Sequence, residues 1–116
     1  LRNIQPFFAD LHMGGLSVAH NGNLTNALLL RESLVKDGAI FRTTSDTETI
    51  VQLIAKSKRD KFIDKLIDTL FQIQGGYSLI LMTNKNTTTF STLKKKLMIL
   101  VLRSQLNIQK SIMRHY

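Results

Sequence analysis

Apolar residues recur along this chain at two different spacings, and each change of spacing marks a new element. Leu16-Ser17-Val18-Ala19-His20 alternates apolar with small residues, which predicts a strand. It runs into Asn21-Gly22, a pair that tolerates positive φ and predicts a sharp turn. From Leu24 to Asp37 the spacing is helical. Leu24, Ala27, Leu28, Leu34 and Val35 can share one face, with Asn23 or Thr25 as the cap and Gly38 as the stop. Ala39 to Thr43 reads as a short extended link. Ser45-Asp46-Thr47-Glu48 then matches a capping box, and Ile50, Val51, Ile54 and Ala55 follow as an apolar stripe. Lys56 to Lys61 is a charged break. A third helix, over about 60–74, carries Phe62, Ile63, Leu66, Ile67, Leu70 and Phe71, a stripe that predicts core, and Gly75-Gly76 ends it. Tyr77 to Thr83 is apolar and continuous, as expected of a buried strand. Asn84-Lys85 suggests a turn.

Ahead of these elements, Pro6 and Gly14-Gly15 are loop signals, and Phe7-Phe8-Ala9 between them predicts a short buried strand. The predicted order up to residue 85 is therefore strand, helix, helix, helix, strand, with no internal repeat. Beyond it, Asn86 to Thr92 is threonine-rich and reads as a possible strand. Leu93 to Leu106 fits a strand or a helix equally, and the last ten residues are ambiguous.

Composition narrows the class. A chain of 116 residues with 43% hydrophobic content suits one domain with a core. The longest apolar run, Leu97 to Leu102, is far short of a bilayer span, and the chain does not begin like a signal peptide, so a cytoplasmic protein is expected. With no cysteine, these residues contain no disulfide, thiolate metal site or cysteine nucleophile. His12, His20 and His115 show no ligand-like spacing, so no metal is expected here. The net charge of +8 raises the class of small basic proteins that bind nucleic acid or a membrane surface. Its distribution argues against that class. Residues 1–85 hold ten Lys/Arg and all eight Asp/Glu, while residues 86–116 hold six Lys/Arg and no acid. Lys94-Lys95-Lys96 has no stacking aromatic residues beside it, and neither nucleic acid nor membrane is expected as a partner.

Two segments carry candidate chemistry. A strand leaving through His20-Asn21-Gly22-Asn23 places a carboxamide and an unencumbered backbone N–H at a sheet edge, where both could stabilise an oxyanion. Taken alone, an Asn-Gly pair is more often just a turn. Asp46, in the first turn of a predicted helix, complements the helix dipole and could bind an ammonium group. Ser45 and Glu48 are explained by capping alone.

Together these segments resemble a known family. The run NIQPFFADL, GGLSVAHNGNLTNALLLRESL, FRTTSDTETIVQLIA and GGYSLILMTNK is similar, in order and spacing, to the glutaminase domain of amidophosphoribosyltransferases, which are class II glutamine amidotransferases. Glucosamine-6-phosphate synthases share the HNG and SDTE motifs and are the alternative within the class. Asn3-Ile4-Gln5-Pro6-Phe7 and Gly22-Asn23-Leu24-Thr25-Asn26 favour the purine enzyme. The resemblance covers about residues 1–85 and implies an α+β fold, part of the four-layer α/β/β/α sandwich of N-terminal nucleophile hydrolases. It implies hydrolysis of glutamine and transfer of the ammonia to phosphoribosyl pyrophosphate, the first step of purine (IMP) biosynthesis. It assigns Asn21 and Gly22 to the oxyanion hole, Asp46 to the substrate α-ammonium, and His20, Asn23, Ser45 and Glu48 to support of the motifs. The family's N-terminal cysteine nucleophile, its carboxylate-gripping arginine, and the phosphoribosyltransferase domain with its Mg²⁺ would lie outside these residues. Arg2 does not match that arginine. The chain alone is thus expected to be inactive, and the parent is expected to be a homo-oligomer. The family's Arg-Asp-Pro-x-Gly-Ile-Arg-Pro segment is missing after Lys85. With the loss of Gly, Pro, Asp and Glu at the same point, this marks residues 86–116 as a divergent, possibly frameshifted, basic tail.

Overall fold

The structure, a computed structural model, describes residues 5–85 and 95–104. Seven elements follow in order: strands β1 (Phe7–Leu11) and β2 (Gly14–Leu24), helices α1 (Ala27–Lys36), α2 (Asp46–Lys56) and α3 (Phe62–Gln72), and strands β3 (Gly75–Lys85) and β4 (Lys95–Ser104). The strands form one antiparallel sheet in the order β1-β2-β3-β4. The three helices are all inserted between the neighbouring strands β2 and β3, and α2 lies against both α1 and α3 while packing on β1 and β2. This is the expected α+β arrangement. The stretch 93–106, open between helix and strand in the sequence, forms β4 over 95–104, paired along β3 from Gly76↔Ser104 to Lys85↔Lys95. The expected strand over 86–92 and the ambiguous end of the chain lie outside the described residues.

Strand alternation gives the sheet two unlike faces. Leu16, Val18, Tyr77, Leu79 and Leu81 point toward the helices and are buried with Ile50, Val51, Leu53, Ile54, Leu66 and Leu70. The other face is open: Phe8, Ile80 and Met82 are 66%, 45% and 40% exposed. Two expectations are corrected here. The strand over Tyr77–Thr83 is buried on one face only, with Ile80 and Met82 exposed on the other, and Phe7-Phe8-Ala9 belongs to an edge strand whose alternate residues are exposed. A continuous apolar run states what a strand can bury, not how many layers cover it.

The helices also depart from their predicted stripes. Leu24 belongs to β2, and Leu28 and Val35 are exposed, so Leu34 is the fully buried residue of α1. In α2 Leu53 is buried and Ala55 is exposed. In α3 Ile63 and Phe71 are exposed, while Leu66 and Leu70 enter the core with Thr69. That helix stops at Gln72, and Gly75-Gly76 opens β3 instead of ending the helix. The stop at Gly38 is as expected. Gly38 has φ +102, its N–H donates to the Val35 carbonyl at 3.0 Å, and Ala39 N–H reaches back to Leu34 O at 2.9 Å. These are the two bonds of a Schellman motif.

Candidate active site

The Asn21-Gly22 pair makes no turn. β2 runs straight through it, with Asn21 opposite Ser78, Gly22 opposite Tyr77 and Leu24 opposite Gly75. Gly22 has φ +123, and a Cβ there would stand 2.3 Å from Gly76 O and 2.8 Å from the Tyr77 Cα. Gly75 mirrors it across the ladder, with φ +131 and Asn23 O 2.1 Å from where its Cβ would be. The positive φ permits close approach of two strands here, not chain reversal. The cross-strand bonding extends one residue past this ladder to Thr25, whose N–H donates to Gln74 O at 2.8 Å. Asn26 pins it: its Nδ2 donates to Gln72 O at 2.8 Å and its Oδ1 accepts from Gln74 N at 2.9 Å. Asn26 does this in place of capping α1, for which its side chain makes no bond.

This straight passage decides what faces the end of β1. N–H groups alternate sides along a strand, so those of His20, Gly22 and Leu24 share the side on which β1 lies. The ladder to β1 begins only at Phe7↔Val18. Beyond that pair, side chains take over. His20 N–H donates to the Gln5 side-chain carbonyl, and Leu24 N–H donates to Asp46 Oδ2 at 3.3 Å. The Gly22 N–H lies between the two. Asn21 continues the Ser17–Ala19 row on the open face and is exposed, as are Gly22 and Asn23.

Asp46 is held by the start of α2. Ser45 is the N-cap, its Oγ accepting from Thr47 N at 3.1 Å. The predicted capping box closes only by half. The Glu48 carboxylate does not return to Ser45 N, whose partner is Thr43 Oγ1 at 3.1 Å. Glu48 is 2% exposed and accepts from Arg42 N, Thr43 N and Thr43 Oγ1 at 2.7–3.1 Å. The loop before α2 is thus folded around a buried carboxylate, and Arg31 reinforces it by donating to Thr43 O and stacking over Phe41 at 4.1 Å. His20 is buried beneath this turn. Burial holds its imidazole below the usual value, and the Asp46 charge pulls the other way. Its Nε2 and the hydroxyl of Tyr77, whose pKa burial raises, are both buried and find no hydrogen-bond partner among the described residues. Among the described residues no group of three or more His, Asp or Glu side chains is placed to hold a metal ion, and no helix is long and apolar enough to cross a membrane.

The Asn21 carboxamide and the Gly22 backbone N–H thus lie near the end of β2 where the Asp46 carboxylate, from the first turn of α2, meets the strand at Leu24. Residues 2–98 match the glutamine amidotransferase domain family, and the chain belongs to that family. The match runs past the composition break after residue 85. Among its relatives, the amidophosphoribosyltransferase of Rhizobium etli is 49% identical over 83 residues, covering 72% of this chain and 17% of that protein. The chloroplastic amidophosphoribosyltransferase 1 of Arabidopsis thaliana is 47% identical over 83 residues, 72% of this chain and 15% of that one. The chain thus spans about a sixth of these relatives. The glutamine phosphoribosylpyrophosphate amidotransferase from B. subtilis, solved with ADP and GMP, superposes with a TM-score of 0.67 at 39% identity, covering 70% of this chain and 18% of that one. A structure described as the allosteric regulatory enzyme of purine biosynthesis gives 0.68 at 38%, covering 71% and 18%. The fold is that of the N-terminal nucleophile hydrolase type, represented here by one sheet and the helices on one of its faces.

The sequence placed Asn21, Gly22 and Asp46 at the site and His20, Asn23, Ser45 and Glu48 around it. The structure gathers His20 to Leu24 and the start of α2 at one end of the sheet. Gln5, Asn26 and Thr47 were missed. Their polar side chains act on backbone or hydroxyl groups 15 to 48 residues away, and no local pattern signals such partners.

Proposed function

We propose that this segment forms the glutamine-binding end of an amidophosphoribosyltransferase, which hydrolyses glutamine and passes the ammonia to phosphoribosyl pyrophosphate to give phosphoribosylamine, opening purine synthesis. Family membership and the relatives' names support the activity. The observation that carries the residue roles is the row of N–H groups at His20, Gly22 and Leu24, flanked by Gln5 on one side and Asp46 on the other.

In this reading the Gly22 N–H and the Asn21 carboxamide donate to the oxygen that becomes negative when the glutamine amide is attacked. Fixed donors of this kind lower the barrier because they need no reorganisation as charge develops. Asp46 binds the substrate α-ammonium, and its place in the first turn of α2 fixes where its carboxylate sits. His20, Asn23, Ser45 and Glu48 support this arrangement: Ser45 and Glu48 fix the turn that carries Asp46, and neutral His20 fills the space beneath it. The 116 residues contain no cysteine, so the thiol that attacks the amide must come from outside them, as must Mg²⁺ and the phosphoribosyl site. A cytoplasmic setting and a homo-oligomeric parent belong to the same reading. Residues 86–116 remain in it a divergent tail, and resequencing the coding region in independent isolates would test whether one frame runs through it.

The test is Asn21→Ala in the full-length protein. Glutamine-dependent synthesis is expected to fall by roughly 10²–10³ while ammonia-dependent synthesis is spared, because only the amide hydrolysis uses the oxyanion donors. Equal loss with both nitrogen sources would remove Asn21 from that role.

A further inference from the structure

We propose that Gln5 is a positioning residue for glutamine hydrolysis, acting as a strut between the oxyanion strand and the helix that carries the ammonium-binding carboxylate. The inference rests on the site assigned above and adds a residue to it.

The geometry is specific. Counting outward from Phe7↔Val18, the antiparallel register sets Gln5 opposite His20, but the ladder has stopped. In place of a main-chain carbonyl, the Gln5 side-chain oxygen receives the His20 N–H. The same oxygen lies 3.5 Å from the hydroxyl of Thr47, the residue after Asp46, which can donate to it. Thr47 is 1% exposed and His20 is 9% exposed, so both donors sit where water competes little. One carbonyl oxygen therefore ties two donors that belong to different elements. One donor is two residues before Gly22, and the other is adjacent to Asp46. The second tie between these elements, Leu24 N–H to Asp46 Oδ2 at 3.3 Å, uses the very carboxylate that must bind substrate. Gln5 supplies a connection that leaves that carboxylate for the ligand.

The role needs an acceptor at this place and nothing more, which fixes the variants. Gln5→Met keeps length and removes the acceptor, while Gln5→Glu keeps the acceptor. In the full-length protein, Gln5→Met is expected to lower glutamine-dependent kcat/KM about tenfold, mostly through a raised KM for glutamine, since small misplacement of a binding group is costly. Ammonia-dependent synthesis should be unchanged. Gln5→Glu should recover most of the loss. Thr47→Val should shift KM in the same direction, and adding it to Gln5→Met should cost little more, because both remove the same strut.

Several results would overturn the proposal. They are an unchanged KM for glutamine in Gln5→Met, equal loss with glutamine and ammonia, or failure of Gln5→Glu to recover activity while the protein remains folded by circular dichroism. If Gln5→Met fails to fold, Thr47→Val alone decides, with an unchanged KM sinking the idea. Asn21→Ala run alongside separates the two readings. If it leaves glutamine use intact, the site assignment fails. If it acts as expected and the Gln5 and Thr47 variants do not, only the strut falls.

Discussion

Helices α1 and α2 are 10 and 11 residues long and lie side by side, yet they stand in opposite relations to the core. In α2 seven residues are buried, the N-cap hydroxyl is bonded, and the preceding loop closes on Glu48. In α1 only Leu34 is fully buried, the N-cap side chain makes no capping bond, and Leu28, Leu29 and Val35 are 68%, 70% and 52% exposed. Both carry apolar residues at helical spacing. The difference teaches that such spacing fixes the helix but not the depth at which it lies. α2, which carries Asp46, lies in the middle of its layer and touches the sheet, and this gives its first turn a rigid seat.

That contrast can be broken by mutation. Ile54→Ala, in the heart of α2, is expected to destabilise by roughly 2–5 kcal/mol, because the cavity it leaves is walled by sheet and helices. Urea denaturation of the protein carrying this segment would show it, and a cost below that of an exposed site would mean that α2 is not the seat described. Next comes Glu48→Gln, which turns one acceptor oxygen into a donor facing the Arg42 and Thr43 N–H groups. The loss should be about 1–3 kcal/mol by the same measurement. Ser45→Ala removes the cap bond and should cost about 1 kcal/mol. The pH dependence is smaller, and its sign follows from His20. Its pKa is lowered in the fold, so below the ordinary value of 6.5 the unfolded chain binds more protons, and stability falls as pH drops through that window. His20→Gln should flatten this slope between pH 7 and 5. Last, Leu28→Ala and Val35→Ala on α1 should stay within about 0.5 kcal/mol of the parent, since little apolar area leaves water there on folding. A cost near that of Ile54→Ala would show that the exposed side of α1 is covered in the intact protein.

Much of the fold could be read from the chain because its signals are local. Helix spacing, the Gly38 stop and the Ser45 cap each depend on residues within a few positions, and the run of three helices between two strands followed from them, while the predicted order left out the edge strand β1. The failures share a different cause. Residues 95–104, ambiguous in the sequence, form a strand because β3 offers them a ladder, which no count of their own residues reveals. Asn21-Gly22 resembled a turn because positive φ is usually spent on reversal, whereas here it is spent on close contact with Gly76 and Tyr77. For the site, Asn21, Gly22 and Asp46 were legible as motif residues. Gln5 was not, since its importance lies in an oxygen that replaces a missing strand partner.

The tight crossing at Gly22 has a consequence for experiment design. Its donor belongs to the main chain, and any side chain placed there would be driven into the neighbouring strand, so a conventional substitution confounds a lost hydrogen-bond donor with a displaced sheet. Only an edit of the polymer backbone can isolate that donor. Exchanging the Asn21–Gly22 amide for an ester by semisynthesis would remove one hydrogen while keeping the shape of the crossing.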